Sequence, residues 1–238
     1  MATSQHPQFA LALEIDAPPR LADFIPGANA EMLDQLLGAL GSLGAAGGLG
    51  GGHATGQSRA TQAGWSPGLR FPAFHLWGGA GVGKTFLCRA VQHQFAHTQA
   101  EAALEIHDNI DAIPAEEQAA LLGGFQRLND SAQGLWLSTS RAPPVQLELL
   151  ADLKSRLSWG LVFEVKALSD DALLDALEHW ARRRALPLGP EVLPWLLRHS
   201  ERSLPHLTAL LRQFDRYALE RQRSLSLPLL REMLQLRP

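Results

Sequence analysis

Apolar positions along this chain follow two different rhythms. Between residues 73 and 165, short apolar runs alternate with segments at helical spacing. Ala73–Trp77, Ala102–His107, Gly134–Thr139 and Leu161–Val165 predict strands. Lys84–His97, Ala115–Ala132 and Val145–Leu157 predict the helices between them, the second interrupted by Gly123-Gly124. Strands alternating with helices build crossover units, and so a parallel sheet covered on both faces. An earlier helix is predicted over Ala28–Leu40, where Met32, Leu33, Leu36, Leu37 and Leu40 share one face. From about Lys166 the strand signal stops. Ser169 is placed to cap a helix whose first turn holds Asp170 and Asp171 and whose end holds Arg182, Arg183 and Arg184 before Pro187. Further helices are predicted over Glu191–Ser200, Leu207–Arg221 and Leu227–Leu236.

These patterns divide the chain into a tail (1–20), an α/β domain (21–165) and an all-helical domain (166–238). The tail carries one small apolar cluster, Phe9-Ala10-Leu11-Ala12-Leu13, before Pro18-Pro19. Eight of the sixteen residues of Gly41–Gly56 are glycine, so 41–70 reads as a flexible insertion in the α/β domain.

Composition narrows the function. Of 238 residues, 46% are hydrophobic and 19% charged, enough for a buried core. The net charge of −3 argues against general coating of nucleic acid. Residues 1–165 carry 9 basic and 15 acidic side chains, whereas residues 166–238 carry 12 and 9, a tilt too small to imply DNA binding. Cys88 is the one cysteine, which excludes an internal disulfide framework and fits a reducing compartment. No stretch approaches the roughly 18 apolar residues of a membrane span, and residues 1–16 lack a basic n-region. The expectation is a soluble, cytoplasmic protein with no membrane partner. His93 and His97 lie four apart on one helix face with no third ligand placed, and read as solvated histidines.

Gly78-Gly79-Ala80-Gly81-Val82-Gly83-Lys84-Thr85 matches GxxxxGK[ST] in full, after a predicted strand and before a predicted helix. Glycines let consecutive backbone N–H groups turn towards phosphate oxygens, and the helix N-terminus adds its dipole. Lys84 can reach the β- and γ-phosphates, and Thr85 can offer its hydroxyl to Mg²⁺. The expected ligand is a nucleoside di- or triphosphate. Asp108, ending the Leu104–His107 run, is the candidate carboxylate on the metal side. Asn109 stands where many P-loop ATPases carry a second acid. An amide can position water but cannot take its proton, so intrinsic hydrolysis should be slow.

With these residues in view, the chain resembles the AAA+ ATPases, and within them the DnaA-like branch, over most of its length. The resemblance implies a P-loop AAA+ parallel sheet flanked by helices and followed by a small all-helical lid. Phe24-Ile25-Pro26-Gly27-Ala28-Asn29 is similar to the family's opening box, which implies that Pro26 lies at the adenine. Asp108-Asn109-Ile110 resembles the magnesium strand of the regulatory members, and Leu135–Arg141 the sensor 1 strand, which would bring Ser138 to Ser140 towards the γ-phosphate. Asp152–Gly160 resembles the segment of the arginine finger, implying that Arg156 acts in trans. Gln8, Phe9, Leu11 and Leu13 resemble a motif that binds the sliding clamp of DNA polymerase III, its β subunit, as an extended peptide.

Two departures from the family stand out. Only 24 positions separate Lys84 from Asp108, which implies a sheet one edge strand short, with about four strands. The lid arginine that senses nucleotide is replaced by Pro205, with Arg202 one turn earlier as the candidate substitute.

The function implied is regulatory: a protein holding ADP or ATP with Mg²⁺, tethered to the clamp and through it to DNA. It would present Arg156 to ATP bound on DnaA and so prevent over-initiation of replication. It would be an activator of its partner's hydrolysis more than an enzyme, and could form a homo-oligomer. The chain contains no helix-turn-helix domain after the lid, so it is not expected to read origin sequence. The alternative is an autonomous AAA+ ATPase that loads helicase or remodels DNA, against which Asn109 counts. A small-molecule P-loop kinase would need a lid with inward arginines, whereas Arg182–Arg184 suit a helix end.

Overall fold

A computed structural model of the protein describes residues 18–46, 69–97 and 102–235. Its sheet has four parallel strands, β1 (Ala73–Trp77), β2 (Ala103–His107), β3 (Gly134–Ser140) and β4 (Leu161–Glu164), in the order β2-β3-β1-β4. The short connection after Lys84 thus does go with a four-stranded sheet. Every residue of β3 is buried, as is β1 apart from half-buried Trp77, because helices cover both faces of the central strands. On the edge strand β4, half-buried and exposed residues alternate.

The pleat sorts the core into two layers. On one face, Phe74, Leu76, Leu135 and Leu137 pack against α1 (Ala30–Ala46) and α2 (Lys84–Ala96), through Met32, Leu36, Leu87 and Val91. On the other, Ala73 and Trp136 pack against α3 (Ala115–Ser131) and α4 (Ala151–Leu157), through Leu121, Phe125, Leu153 and Leu157.

The four remaining helices are α5 (Asp170–Arg183), α6 (Val192–His199), α7 (Leu204–Arg221) and α8 (Leu227–Gln235), which form a separate core. Leu207, Leu210, Leu211, Phe214 and Ala218 make one apolar stripe along α7, packed with Leu177, Val192, Leu196, Leu229 and Leu230. The hydroxyl of Ser169 accepts a hydrogen bond from the Ala172 N–H at 3.3 Å and caps α5. At the other end of α5, Arg182 pairs with Glu178 and Arg183 with Asp23.

Three helix boundaries differ from the periodicity. The first helix runs through Gly41 to Ala46, because Ala39, Leu40 and Leu43 keep packing on the core beyond the first glycine. Of the glycine-rich insertion, 47–68 lies outside the described residues. Val145–Leu157 is not one helix. Pro144–Gln146 forms a single 3₁₀ turn, Leu147 and Leu150 are extended, and α4 begins only at Ala151. The Leu150 N–H is taken by Gln118 Oε1 on α3 at 2.8 Å, a partner 32 residues away. Helix α7 starts at Leu204, three residues early, since Pro205 lies in the first turn, where no N–H is required.

Candidate functional site

Strand β1 ends at Trp77, and the chain turns through Gly78–Gly83 into α2. Gly81 and Gly83 have φ of 74° and 105°, a region L side chains rarely adopt. The Gly78 N–H donates to the Ser140 carbonyl at 3.2 Å, which ties the loop entry to the end of β3. Lys84 Nζ donates to the Gly78 and Gly79 carbonyls at 2.7 Å each. Burial pulls the Lys84 pKa below its ordinary value, while Asp108 and Asp111 oppose that pull and Arg141 adds to it. The ammonium therefore lies against the loop within the fields of two carboxylates and a guanidinium.

Asp108 is the hub of the site. Thr85 Oγ1, in the first turn of α2, donates to Asp108 Oδ2 at 2.6 Å, and Thr139 Oγ1 on β3 donates to Asp108 Oδ1. The Asn109 N–H donates to Thr139 Oγ1 at 2.9 Å. Asn109 itself is exposed and left-handed, with φ 55° and ψ 52°, a conformation its type tolerates better than most. A threonine hydroxyl, one carboxylate and an adjacent phosphate-loop helix suit Mg²⁺, which takes few protein ligands and shares its sphere with phosphate and water. Among the described residues, no group of three or more His, Cys, Asp or Glu side chains could hold a metal ion by itself.

Only Thr139 of the Ser138–Ser140 trio faces this hub. Its neighbours point through the sheet to His75, whose Nδ1 lies 2.9 Å from Ser138 Oγ and whose Nε2 lies 2.8 Å from Ser140 Oγ. Successive strand residues face opposite sides, so three adjacent hydroxyls cannot serve one site.

The segment before α1 closes one side. Phe24 lies beside Phe86 of α2, with ring centroids 6.2 Å apart. Pro26 is exposed at the start of a 3₁₀ turn, Gly27–Asn29. Buried Asn29 holds the backbone of Lys166 twice: its Nδ2 donates to the carbonyl at 3.0 Å and its Oδ1 accepts from the N–H at 2.8 Å. The opening segment is thereby fastened to the connection between sheet and helical domain. Helical-domain residues reach the loop at Ser203: a Cβ on Gly81 would lie 2.5 Å from Ser203 Oγ. Arg202 is exposed and pairs with Asp170 at 3.3 Å.

Comparison with known proteins finds one family match in the helical domain and a shared fold for the whole chain. Residues 170–234 match the family model described as "Hda, lid domain". Domain III of the Thermotoga maritima replication initiation protein DnaA superposes with a TM-score of 0.70 at 16% identity, over 91% of this chain and 95% of that one. Replication initiator DnaA bound to AMPPCP and single-stranded DNA gives 0.64 at 16% identity, over 83% of this chain and 64% of that one. The helical domain thus resembles the Hda lid, and the chain has the AAA+ fold of the DnaA structures. It spans 64% of the length of that AMPPCP-bound initiator. A RuvB mutant from Thermotoga maritima shares the fold more distantly, at 0.59 and 13% identity, over 92% of this chain and 72% of that one.

Within this AAA+ core, Arg156 lies on α4 with its guanidinium 5.1 Å from the Trp159 ring centroid and 6.0 Å from that of Phe125. Its Nη1 donates to Gln126 Oε1 at 3.0 Å, its Nε faces Asp152 at 3.5 Å, and its side chain is 20% exposed. The arginine is thus held by its own α3–α4 face, an arrangement that positions it and also gives it a structural share. The tail residues Gln8, Phe9, Leu11 and Leu13 lie outside the described residues. No helix among the described residues is long and apolar enough to cross a membrane.

Sequence reasoning missed His75, Asn29 and Ser203. His75 could have been flagged as the polar residue inside an otherwise apolar strand. Ser203 had a weaker signal, as a helix-capping residue type just ahead of Pro205. For Asn29 the partner is 137 residues away, and no local signal exists.

Proposed function

We propose that this protein is a regulator of replication initiation that binds ADP or ATP and Mg²⁺ at the Gly78–Thr85 loop. It would be tethered to the polymerase III sliding clamp by Gln8, Phe9, Leu11 and Leu13, and would present Arg156 to ATP held by DnaA. What supports the reading most is one juxtaposition: a phosphate-loop lysine beside a Thr85–Asp108–Thr139 cluster, in a chain whose helical domain matches the Hda lid. In this reading Lys84 and the loop N–H groups hold the β- and γ-phosphates, Thr85 and Asp108 hold the cation, and Pro26 borders the adenine. Bound Mg²⁺ would neutralise phosphate charge. Asn109 can orient water without accepting its proton, which keeps intrinsic turnover low. Arg202, paired with Asp170 on the outside, borders the nucleotide only if that pair opens.

Arg156 supplies the partner's missing charge. A guanidinium offered in trans stabilises negative charge developing on the transferring phosphoryl group. Its seat on Trp159, Phe125 and Gln126 restricts its rotamers before the partner arrives. The decisive experiment measures ATP hydrolysis on DnaA with clamp loaded on DNA, comparing the native protein with Arg156→Ala and Arg156→Lys. Stimulation should fall on the order of 10³-fold in both, since lysine lacks the planar two-pronged donor. Binding of nucleotide and clamp by both variants should persist. Full stimulation by Arg156→Ala would remove the residue from the mechanism, and joint loss of stimulation, nucleotide binding and stability would make it structural only.

A further inference from the structure

We infer that His75 is a positioning residue for the nucleotide site, holding from the far face of the sheet the strand end that orients Thr139 and the entry of the phosphate loop. This role rests on the nucleotide reading above. His75 lies in β1 just ahead of the loop and is 1% exposed. Register sets it opposite Ser138, with Trp77 opposite Ser140. Its ring bridges two hydroxyls of β3: Nδ1 lies 2.9 Å from Ser138 Oγ, and Nε2 lies 2.8 Å from Ser140 Oγ. Thr139, between those serines, faces the other side of the sheet. There its hydroxyl donates to Asp108 Oδ1 and accepts from the Asn109 N–H at 2.9 Å. One ring thus fixes both neighbours of the residue that anchors Asp108.

Ser140 carries the link to the loop. Its hydroxyl donates to the Ala142 carbonyl at 2.6 Å and so accepts from His75 Nε2. Its own carbonyl takes the Gly78 N–H at 3.2 Å. Between Ser140 and Ala142 stands Arg141, whose guanidinium faces Asp111 at 3.9 Å and whose field reaches Lys84. The loop entry, the Asp108 anchor and the Arg141 turn therefore meet at a strand end whose two serines share one histidine. Packing alone would favour an apolar side chain at this position, as at Phe74 and Leu76 on either side. Burial pushes the His75 pKa down to about 4, so near neutral pH the ring offers one donor and one acceptor, the pair its two serines require.

The test titrates Mg²⁺–ADP and Mg²⁺–AMPPCP by calorimetry into the full chain, as native protein, His75→Phe, His75→Gln, Ser140→Ala and Lys84→Ala. Amide hydrogen exchange is followed at the loop entry and in the helical domain. His75→Phe keeps a ring without its nitrogens and should weaken binding about 10-fold, the order of one lost hydrogen bond. Glutamine carries a donor and an acceptor side by side, so His75→Gln should restore affinity to within about twofold of native. Ser140→Ala cuts the same link with less disturbance of the core and should weaken binding similarly, which decides the matter if His75→Phe fails to fold. In both weakened variants exchange should quicken at Gly78 and stay native in the helical domain, a pattern that general destabilisation does not give. Native affinity in His75→Phe or Ser140→Ala, with binding lost in Lys84→Ala, overturns the role of His75 and leaves the nucleotide site standing. Failure of His75→Gln to restore affinity, or faster exchange throughout the chain, also overturns it, in favour of a packing role. If the native protein binds neither nucleotide, or Lys84→Ala binds as well as native, the nucleotide reading fails and this inference with it.

Discussion

His75 should make the fold acid-sensitive by an amount that its surroundings determine. The ring is 1% exposed, in the middle of β1, between the hydroxyls of Ser138 and Ser140. Ser140 Oγ donates its own proton to the Ala142 carbonyl at 2.6 Å, so it accepts from His75 Nε2–H. Nδ1 is then the acceptor, taking the Ser138 proton. The neutral imidazole is fully satisfied, and a second proton would place charge among buried side chains and face donor against donor. Burial accordingly pushes the pKa down from 6.5 to about 4. Unfolded chain binds a proton near pH 6.5 while the folded protein resists until about 4, so the unfolded state holds more protons between those values. Stability is therefore full above pH 6.5, falls as pH drops through this window, and levels off below it. At pH 5 the loss from this one group is about 2 kcal/mol, rising to about 3 kcal/mol once both states are protonated.

Denaturant unfolding followed by tryptophan fluorescence at pH 7.5 and pH 5 would measure it, in the native protein and in His75→Gln. His107, whose pKa burial also lowers, and Glu232, held down by Arg223 and Tyr217, add acid sensitivity to both proteins alike. The difference between the two proteins thus isolates His75. The native protein should lose about 2 kcal/mol more than the variant between the two pH values. Equal losses would refute the buried neutral histidine.

Asn29→Ala should destabilise by about 2–4 kcal/mol, because it leaves the Lys166 N–H and carbonyl without their partner, and denaturant titration would register it. A change within error would mean that water replaces the amide. Changing Gln8, Leu11 and Leu13 together to alanine should abolish binding to immobilised clamp while nucleotide affinity stays native; retained clamp binding would place the tether elsewhere.

The alternation of strands and helices was legible because it depends on local periodicity, and all four strands formed within a residue or two of the pattern. The phosphate loop was legible for a different reason. Its glycines and Lys84 act through backbone geometry that the motif itself encodes. Ser169 worked as a cap because a helix end needs a hydroxyl three residues from an unpaired N–H, again a local relation. Other features were decided only when distant segments met. The register of β1 against β3 sends Thr139 to Asp108 and its two serine neighbours to His75. Packing of Leu43 carries α1 past glycines that alone would end it, and Gln118 takes the Leu150 N–H and holds back α4. Arg156 acquires its seat only when α3 brings Phe125 and Gln126 beside α4. Ser203 meets Gly81 only because the lid folds back onto a loop more than a hundred residues earlier in the chain. Periodicity specifies which face of an element turns inward, but the partner on that face is chosen by packing between segments whose separation no local pattern records.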